Sequence, residues 1–213
     1  MISKASADLL GTPPSGETPK TRRKPSKAYL KFESVMKRSL DLLALQKPIE
    51  KIMAVAPASK PLDLSDMTRA AVVLAVAAMD SYFTDVFAEH LIPFLKKKGA
   101  TRAMVDLLKK AGLDTSYALR LIATKRPYRR IRTLIEAHLE YTTTQRTTAI
   151  DELFLAYGIK EFSSQVQKMK KRTKLLAAIT RLVKRRNMIA HEGDMNSHRK
   201  VIPIDPKRAQ RWM

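Results

Sequence analysis

Apolar residues recur at spacings of three and four positions along most of the chain, a period that predicts helices rather than strands. Polar residues that can cap a helix precede these stretches, and glycines that can end a helix follow them. The predicted helices cover residues 27–55, 66–98 with a bend at Pro93, 101–111, 116–124, 127–145, 148–157 and 164–192. We therefore expect an all-α bundle of six to seven helices, in which the second and the last form a long antiparallel central pair.

The two ends of the chain are predicted to be tails around one helical domain with a single core. Residues 1–26 contain four prolines among Gly, Ser and Thr, a composition that buries too little apolar area to offset the entropy of ordering. Eight basic residues and one acid lie between Lys20 and Arg38, which fits either a nucleic-acid-binding arm or a solvated charge run. The helical domain is expected to span residues 27–193, with residues 194–213 as a C-terminal tail.

The charge balance narrows the range of partners. The chain has 41 Lys and Arg against 20 Asp and Glu, a net charge of +21, which favours a nucleic acid without choosing DNA or RNA. An acidic lipid or an acidic protein is the alternative partner. The absence of cysteine excludes disulfides and thiolate zinc sites. Because neither a signal-like N-terminus nor a sufficiently long apolar run is present, we expect a cytoplasmic protein without a membrane span.

Two charged residues fall inside predicted apolar stripes. Asp80 shares a stripe of the second predicted helix with Val76 and Phe83, and Arg186 follows Leu182 by one turn on the last. Because an isolated buried charge is costly, such charges are usually paired or held at a functional cavity. We expect Asp80 and Arg186 to approach each other. The alternative is a structural ion pair without chemistry, or a charge at a solvated end of the bundle.

Arg186 also begins the motif Arg-Asn-Met-Ile-Ala-His, which ends at His191. Asn187 and His191 are one turn apart, so the amide can orient the imidazole or bind a substrate oxygen. His191 lies two residues before Gly193, where we expect it to be accessible and the helix C-terminus to favour its charged form. Nine basic residues and no acid lie between residues 168 and 186, a positive field that attracts phosphates. The predicted RNA contacts are Lys171, Arg172, Lys174, Arg181, Lys184 and Arg185.

A second Arg-to-His pair and a possible metal site fit the helical pattern less well. Arg132 and His138 repeat the Arg-to-His spacing, but His138 lies on an apolar stripe, which favours a core histidine. A metal site at His191, Glu192 and Asp194 is disfavoured because consecutive residues point in different directions. No glycine-rich phosphate loop or hydrolase serine motif is present. We therefore expect no metal and no cofactor.

Two segments of the sequence, taken together, are specific enough to indicate a protein family. They are RAAVVLAVAAMDSYF at residues 69–83, which contains Asp80, and LVKRRNMIAHEGD at residues 182–194. They resemble the HEPN superfamily, and most closely its RiboL-PSP-HEPN branch. The resemblance covers about residues 66–194 and is specific in those two segments. Asp80 stands where the family usually has Glu.

The resemblance implies a homodimer that brings two copies of the motif into one composite site, where RNA is cut without a metal. Carried over residue by residue, Arg186 is the catalytic arginine, Asn187 the polar residue after it, and His191 the catalytic histidine. We expect His191 to transfer protons, Arg186 to hold the phosphate and Asp80 to orient Arg186. The resemblance also suggests a toxin or antiviral defence effector, restrained by an antitoxin or another regulatory partner.

Two other functions stay open at this point. The first is a non-enzymatic HEPN-like module that binds RNA or protein, with Arg186 and His191 as structural or ligand-binding groups. The second is a basic DNA-binding accessory protein, which would bind duplex DNA with steep salt dependence and leave RNA intact.

Overall fold

The computed structural model describes residues 24–55 and 63–213, and the regular elements of these ranges are nine helices. They are α1 Lys27–Val55, α2 Ser65–Lys98, α3 Arg102–Lys110, α4 Thr115–Ile122, α5 Pro127–Glu140, α6 Thr147–Leu155, α7 Phe162–Met169, α8 Leu175–Glu192 and α9 Pro206–Trp212. The all-α prediction is confirmed. Most of the predicted N-terminal tail, residues 1–23, lies outside the described residues.

The last predicted helix, residues 164–192, is divided into α7 and α8 by a break at residues 170–174. The break is rich in cations, and Lys171 has the left-handed φ of 51°. A continuous helix would place Lys170 and Lys174 one turn apart, where their charges repel each other. The three residues between them include no apolar side chain that could be buried. The interruption therefore follows from a local absence of core-forming residues.

The described chain divides into two compact units, each with its own core, where the sequence predicted one. Unit 1 contains residues 24–30 and 80–171, and unit 2 contains residues 31–55, 63–79 and 172–213. The reason lies in the length of the first two helices. Both α1, with 29 residues, and α2, with 34, are long enough to supply side chains to both units.

Unit 1 has an aromatic core. Phe154 and Phe162 stack with ring centroids 4.2 Å apart, and the ring of Phe87 lies edge-on to Phe154. The hydroxyl of Tyr157 donates a hydrogen bond to the backbone carbonyl of Phe87, and burial raises the pKa of that hydroxyl. These contacts connect the second part of α2 with α6 and α7.

Unit 2 has a smaller aliphatic core, which draws residues from α2, α8 and α9. Its buried members are Val72, Ala75, Val76, Leu182, Val183 and Ala209. The predicted boundary at residue 193 is therefore too early, because α9 packs into this core instead of forming a tail. A start signal for α9 was present in the sequence: Asp205 accepts a hydrogen bond from the backbone N–H of Lys207, and Pro206 occupies the first turn.

Among the described helices, α2 is long and apolar enough to cross a membrane by length and composition alone. Its apolar side chains are used in the structure: Val72 and Val76 lie in the core of unit 2, and Phe87 and Leu91 in that of unit 1. Helix α2 therefore contributes buried side chains to the cores of both units. The expectation that the protein has no membrane span stays a prediction.

A buried ionic network joins the start of α2 to the end of α8. One carboxylate oxygen of Asp194, whose side chain is fully buried, accepts hydrogen bonds from Arg69 Nε and Arg185 Nη2, each at 2.7 Å. Both guanidiniums also donate to the carbonyl of Ile202, and Arg185 donates to that of Pro203. Arg69 lies near the start of α2 and Asp194 just after the end of α8, the arrangement that the predicted antiparallel pair requires.

The network leaves excess positive charge inside unit 2. Burial lowers the pKa of Arg185, and nearby Asp194 acts in the opposite direction. Arg185 Nε and the second oxygen of Asp194 are buried without a hydrogen-bond partner among the described residues. Because one buried carboxylate pairs with two guanidiniums, its loss would leave Arg185 without an ion pair among the described residues and Arg69 with only the exposed carboxylate of Asp66.

We expect Asp194→Asn to lower the free energy of unfolding by about 3 kcal/mol, since it removes the only buried carboxylate that pairs with the two guanidiniums among the described contacts. Urea unfolding, followed as a shift of the midpoint, measures this loss. The matched control is Asp66→Asn, whose carboxylate contacts Arg69 at 3.1 Å but is 85% exposed. It should cost less than about 1 kcal/mol. Equal midpoints for the two variants would contradict the assignment.

Candidate functional site

Helix α8 carries the whole Arg-Asn-His motif and ends where the sequence predicts. Gly193 follows its last residue with a left-handed φ of 60°, a conformation that glycine adopts without steric cost. The backbone N–H of Asp194 then donates to the carbonyl of Met188 at 3.0 Å, which closes the final turn. The His191 imidazole is therefore attached to a well-terminated helix end.

The three motif residues differ in exposure. His191 is exposed, as predicted, and no described residue hydrogen-bonds to its imidazole. Arg186 and Asn187 are half-buried, and Arg186 Nη1 donates to Asn187 Oδ1 at 3.1 Å. Among the described residues, Asn187 is the only side-chain hydrogen-bond partner of the Arg186 guanidinium. The remaining N–H donors of Arg186 are therefore open to a ligand.

The spacing of the motif separates its two charged groups around the helix. Each residue turns an α-helix by about 100°, so the five positions from Arg186 to His191 leave the two side chains about 140° apart around the helix axis. Arg186 lies on the side of buried Leu182, whereas His191 shares the opposite side with exposed Lys184. Asn187 falls between them and holds the guanidinium by its amide oxygen. A single α8 therefore presents the two groups on different sides, joined through an amide.

Five of the six predicted RNA contacts have the exposure that such a role requires, namely Lys171, Arg172, Lys174, Arg181 and Lys184. Arg185 does not. Its side chain is only 11% exposed because its guanidinium binds Asp194 and the carbonyls of Ile202 and Pro203. The proposed RNA-facing set therefore excludes Arg185, whose charge is used inside unit 2.

Asp80 is held by the loop between α5 and α6. Its Oδ1 accepts from the backbone N–H of Thr144 at 2.6 Å and lies 2.7 Å from the Thr144 hydroxyl. Its Oδ2 accepts from Gln145 Nε2 at 2.9 Å. Helix α5 was predicted to continue to residue 145, but it ends at Glu140 before three consecutive threonines, which are poor helix formers. The approach of Asp80 to Arg186 stays a prediction.

The alternative sites look different in the structure. Arg132 pairs with Glu136 at 2.7 Å on the exposed side of α5, and His138 is half-buried. Within residues 24–55 and 63–213, no group of three or more His, Asp or Glu is placed to hold a metal ion. Asp194, which was weighed as a metal ligand, binds two arginines instead.

Sequence reasoning missed the role of Arg69, although the necessary signal was present. Arg69 lies three residues before Val72 and seven before Val76, inside the same apolar stripe of α2. It is 6% exposed in the structure. The test that identified Asp80, a charge within an apolar stripe, therefore applies equally to Arg69 and would have indicated a buried partner.

The described residues form an all-helical protein in which α8 carries the Arg-Asn-His motif among exposed basic side chains. A family model described as RiboL-PSP-HEPN matches residues 36–208, from within α1 to within α9. The chain therefore belongs to the RiboL-PSP-HEPN family, and the resemblance noted in the sequence is confirmed. HEPN domains are generally associated with ribonucleases. Searches of curated proteins and of solved structures returned no match to the chain.

We expect Asp80→Ala to destabilise the protein by about 2 kcal/mol, because it leaves the donors of Thr144 and Gln145 without their acceptor. Chemical denaturation measures the loss, and Asp106→Ala, an exposed acid on α3, serves as the control. Unchanged stability together with reduced RNA cleavage would instead assign Asp80 to the orientation of Arg186.

Proposed function

We propose that this protein is a metal-independent endoribonuclease whose reaction is carried by His191, Arg186 and Asn187. The observation that supports the proposal most directly is the combination on α8 of an exposed imidazole and a half-buried guanidinium with open donors. Membership of a ribonuclease-associated family supports RNA as the substrate.

The reaction requires one base, one acid and one cation. A neutral imidazole removes the proton of a 2′-hydroxyl, whose oxygen attacks the adjacent phosphorus. A second imidazole, in its charged form, donates a proton to the leaving 5′-oxygen as the bond between phosphorus and that oxygen breaks. The products are a 2′,3′-cyclic phosphate and a free 5′-hydroxyl, so protons and electrons balance without a metal or an external water.

Arg186 stabilises the negative charge that develops on the phosphate oxygens. A guanidinium suits this task because its planar donors match phosphate geometry, and because it stays charged throughout the reaction. Asn187 restricts the guanidinium through the 3.1 Å hydrogen bond. A preorganised donor contributes more to transition-state stabilisation than one that must be ordered during the reaction.

The separation of Arg186 and His191 around α8 favours a composite site. The proposed chemistry needs two imidazoles, but the motif supplies one per chain. Two copies of α8 that face each other would supply two imidazoles and two guanidiniums. We therefore propose a homodimer in which the active site forms between protomers. A monomer would retain the basic surface and act as an RNA-binding module.

The basic side chains near the motif would hold the RNA backbone. Arg181 and Lys184 are exposed on α8, and Arg172 and Lys174 precede it. Contacts of this kind give affinity rather than base specificity, and they weaken as salt rises. We propose a toxin or antiviral effector as the biological role, restrained by a regulatory partner.

We expect His191→Ala and Arg186→Ala each to reduce cleavage of single-stranded RNA by at least about 100-fold, since each removes proton transfer or charge stabilisation. The assay is run with a chelator and follows the appearance of cyclic phosphate ends. His198→Ala, another exposed histidine of unit 2, is the matched control and should cut at the parental rate. Parental cleavage by His191→Ala would refute the assignment and favour the binding module.

A composite site should make the His191→Ala protein inhibitory. When wild-type protein is equilibrated with an excess of His191→Ala protein, mixed dimers contain one imidazole instead of two. We expect cleavage per wild-type chain to fall by about 10-fold or more, the scale of losing one acid–base group. Sedimentation of the mixture verifies that dimers form. Activity that is independent of the added variant would contradict a shared site.

A further inference from the structure

A second basic surface lies on unit 1, in a groove between α4 and α5 that we call the α4–α5 groove. Its volume is about 610 Å³. Its polar and charged lining includes Tyr117, Lys125, Arg126, Arg129, Arg130 and Thr133. The lining residues of this groove all belong to unit 1, whereas the α8 motif belongs to unit 2.

The four cations of the groove are exposed and uncompensated. No acidic residue lines the groove, and no ion pair or side-chain hydrogen bond between described residues engages Lys125, Arg126, Arg129 or Arg130. Neighbouring Arg132, by contrast, is paired with Glu136. Four like charges around one depression repel each other, and that repulsion is relieved when a polyanion binds.

An aromatic ring accompanies these cations. Tyr117 lines the groove, and the guanidinium of Arg120 lies over its ring at 5.7 Å from the centroid. Cations that follow a backbone, together with an aromatic face on which a base can stack, are the recurring elements of single-strand recognition. A duplex hides its base faces and would offer no base to stack on Tyr117.

We propose that the α4–α5 groove binds single-stranded RNA, with phosphates at its arginines and a base stacked on Tyr117. The inference rests on the RNA substrate of the proposed function and extends it, because it adds a contact surface on unit 1 to the motif on unit 2. An acidic membrane is the competing ligand, since Leu119 and Ile122 on α4 are exposed. The concave shape and the aromatic lining favour RNA.

Binding is measured with His191→Ala protein, so that cleavage does not interfere, by fluorescence anisotropy of labelled oligouridylate over a range of salt concentrations. The groove variant adds Arg126→Ala, Arg129→Ala and Arg130→Ala. The control variant removes the same number of exposed cations of unit 1 outside the groove lining, by Arg102→Ala, Lys109→Ala and Lys160→Ala.

We expect the groove variant to bind oligouridylate at least about 10-fold more weakly and to reduce the logarithmic salt slope by about 2, since each phosphate contact on a single strand contributes roughly 0.7. The control variant should change affinity by less than about 3-fold and keep the slope. Tyr117→Ala should weaken binding by about 5-fold or more, whereas Tyr117→Phe, which retains the ring, should bind as the parent does. Circular dichroism verifies folding.

Two results would overturn the inference. One is an equal effect of the groove and control variants, which would reduce the groove to part of a general positive field. The other is loss of binding to phosphatidylserine vesicles in the groove variant with RNA affinity unchanged, which would assign the surface to membranes. Because binding is measured without catalysis, failure of the wild-type protein to cut RNA would refute the proposed enzyme and leave the binding comparison intact.

Discussion

The contact of the Asp194 carboxylate with Arg69 and Arg185 determines where the last turn of α8 lies. Asp194 directly follows Gly193, so anchoring its side chain against the start of α2 also anchors the helix end that carries His191. The backbone carbonyl of Ile202 accepts from both guanidiniums, which attaches the segment before α9 to the same point. The catalytic role proposed for His191 requires such rigid support, because small displacements of a reacting group are costly in rate.

Arg185 and Arg186 show how adjacent residues of one type take different roles. They lie about 100° apart on the helix, so they face different surroundings. The Arg185 guanidinium is committed to a buried carboxylate and two backbone carbonyls, whereas that of Arg186 has one amide partner and open donors. The number of basic residues in a sequence segment can therefore exceed the number that a ligand can reach. Only the partners of each guanidinium distinguish a structural cation from a binding one.

Much of the fold could be predicted from periodicity, because burial of an apolar stripe selects a helix. The bounds of α1 and the helix end at Gly193 were both predicted. The break at residues 170–174 and the early end of α5 have local causes that apolar spacing alone does not reveal, whereas the second core depends on long-range packing, which local patterns do not contain. The exposure of His191 followed from its position near a helix end. The partners of Asp80 could not be predicted, since they come from a loop 64 residues away.

The backbone at Asp194 has a consequence for engineering. Its φ of 59° follows that of Gly193 at 60°, so two successive residues are left-handed and the chain reverses sharply. Conformational preference alone would place glycine at both positions, since a side chain there costs roughly 1–2 kcal/mol for most residues and less for aspartate. Glycine at residue 194 would make the turn easier to form but would remove the buried carboxylate that pairs with Arg69 and Arg185. A stabilisation strategy guided by backbone torsions alone would select the wrong residue here.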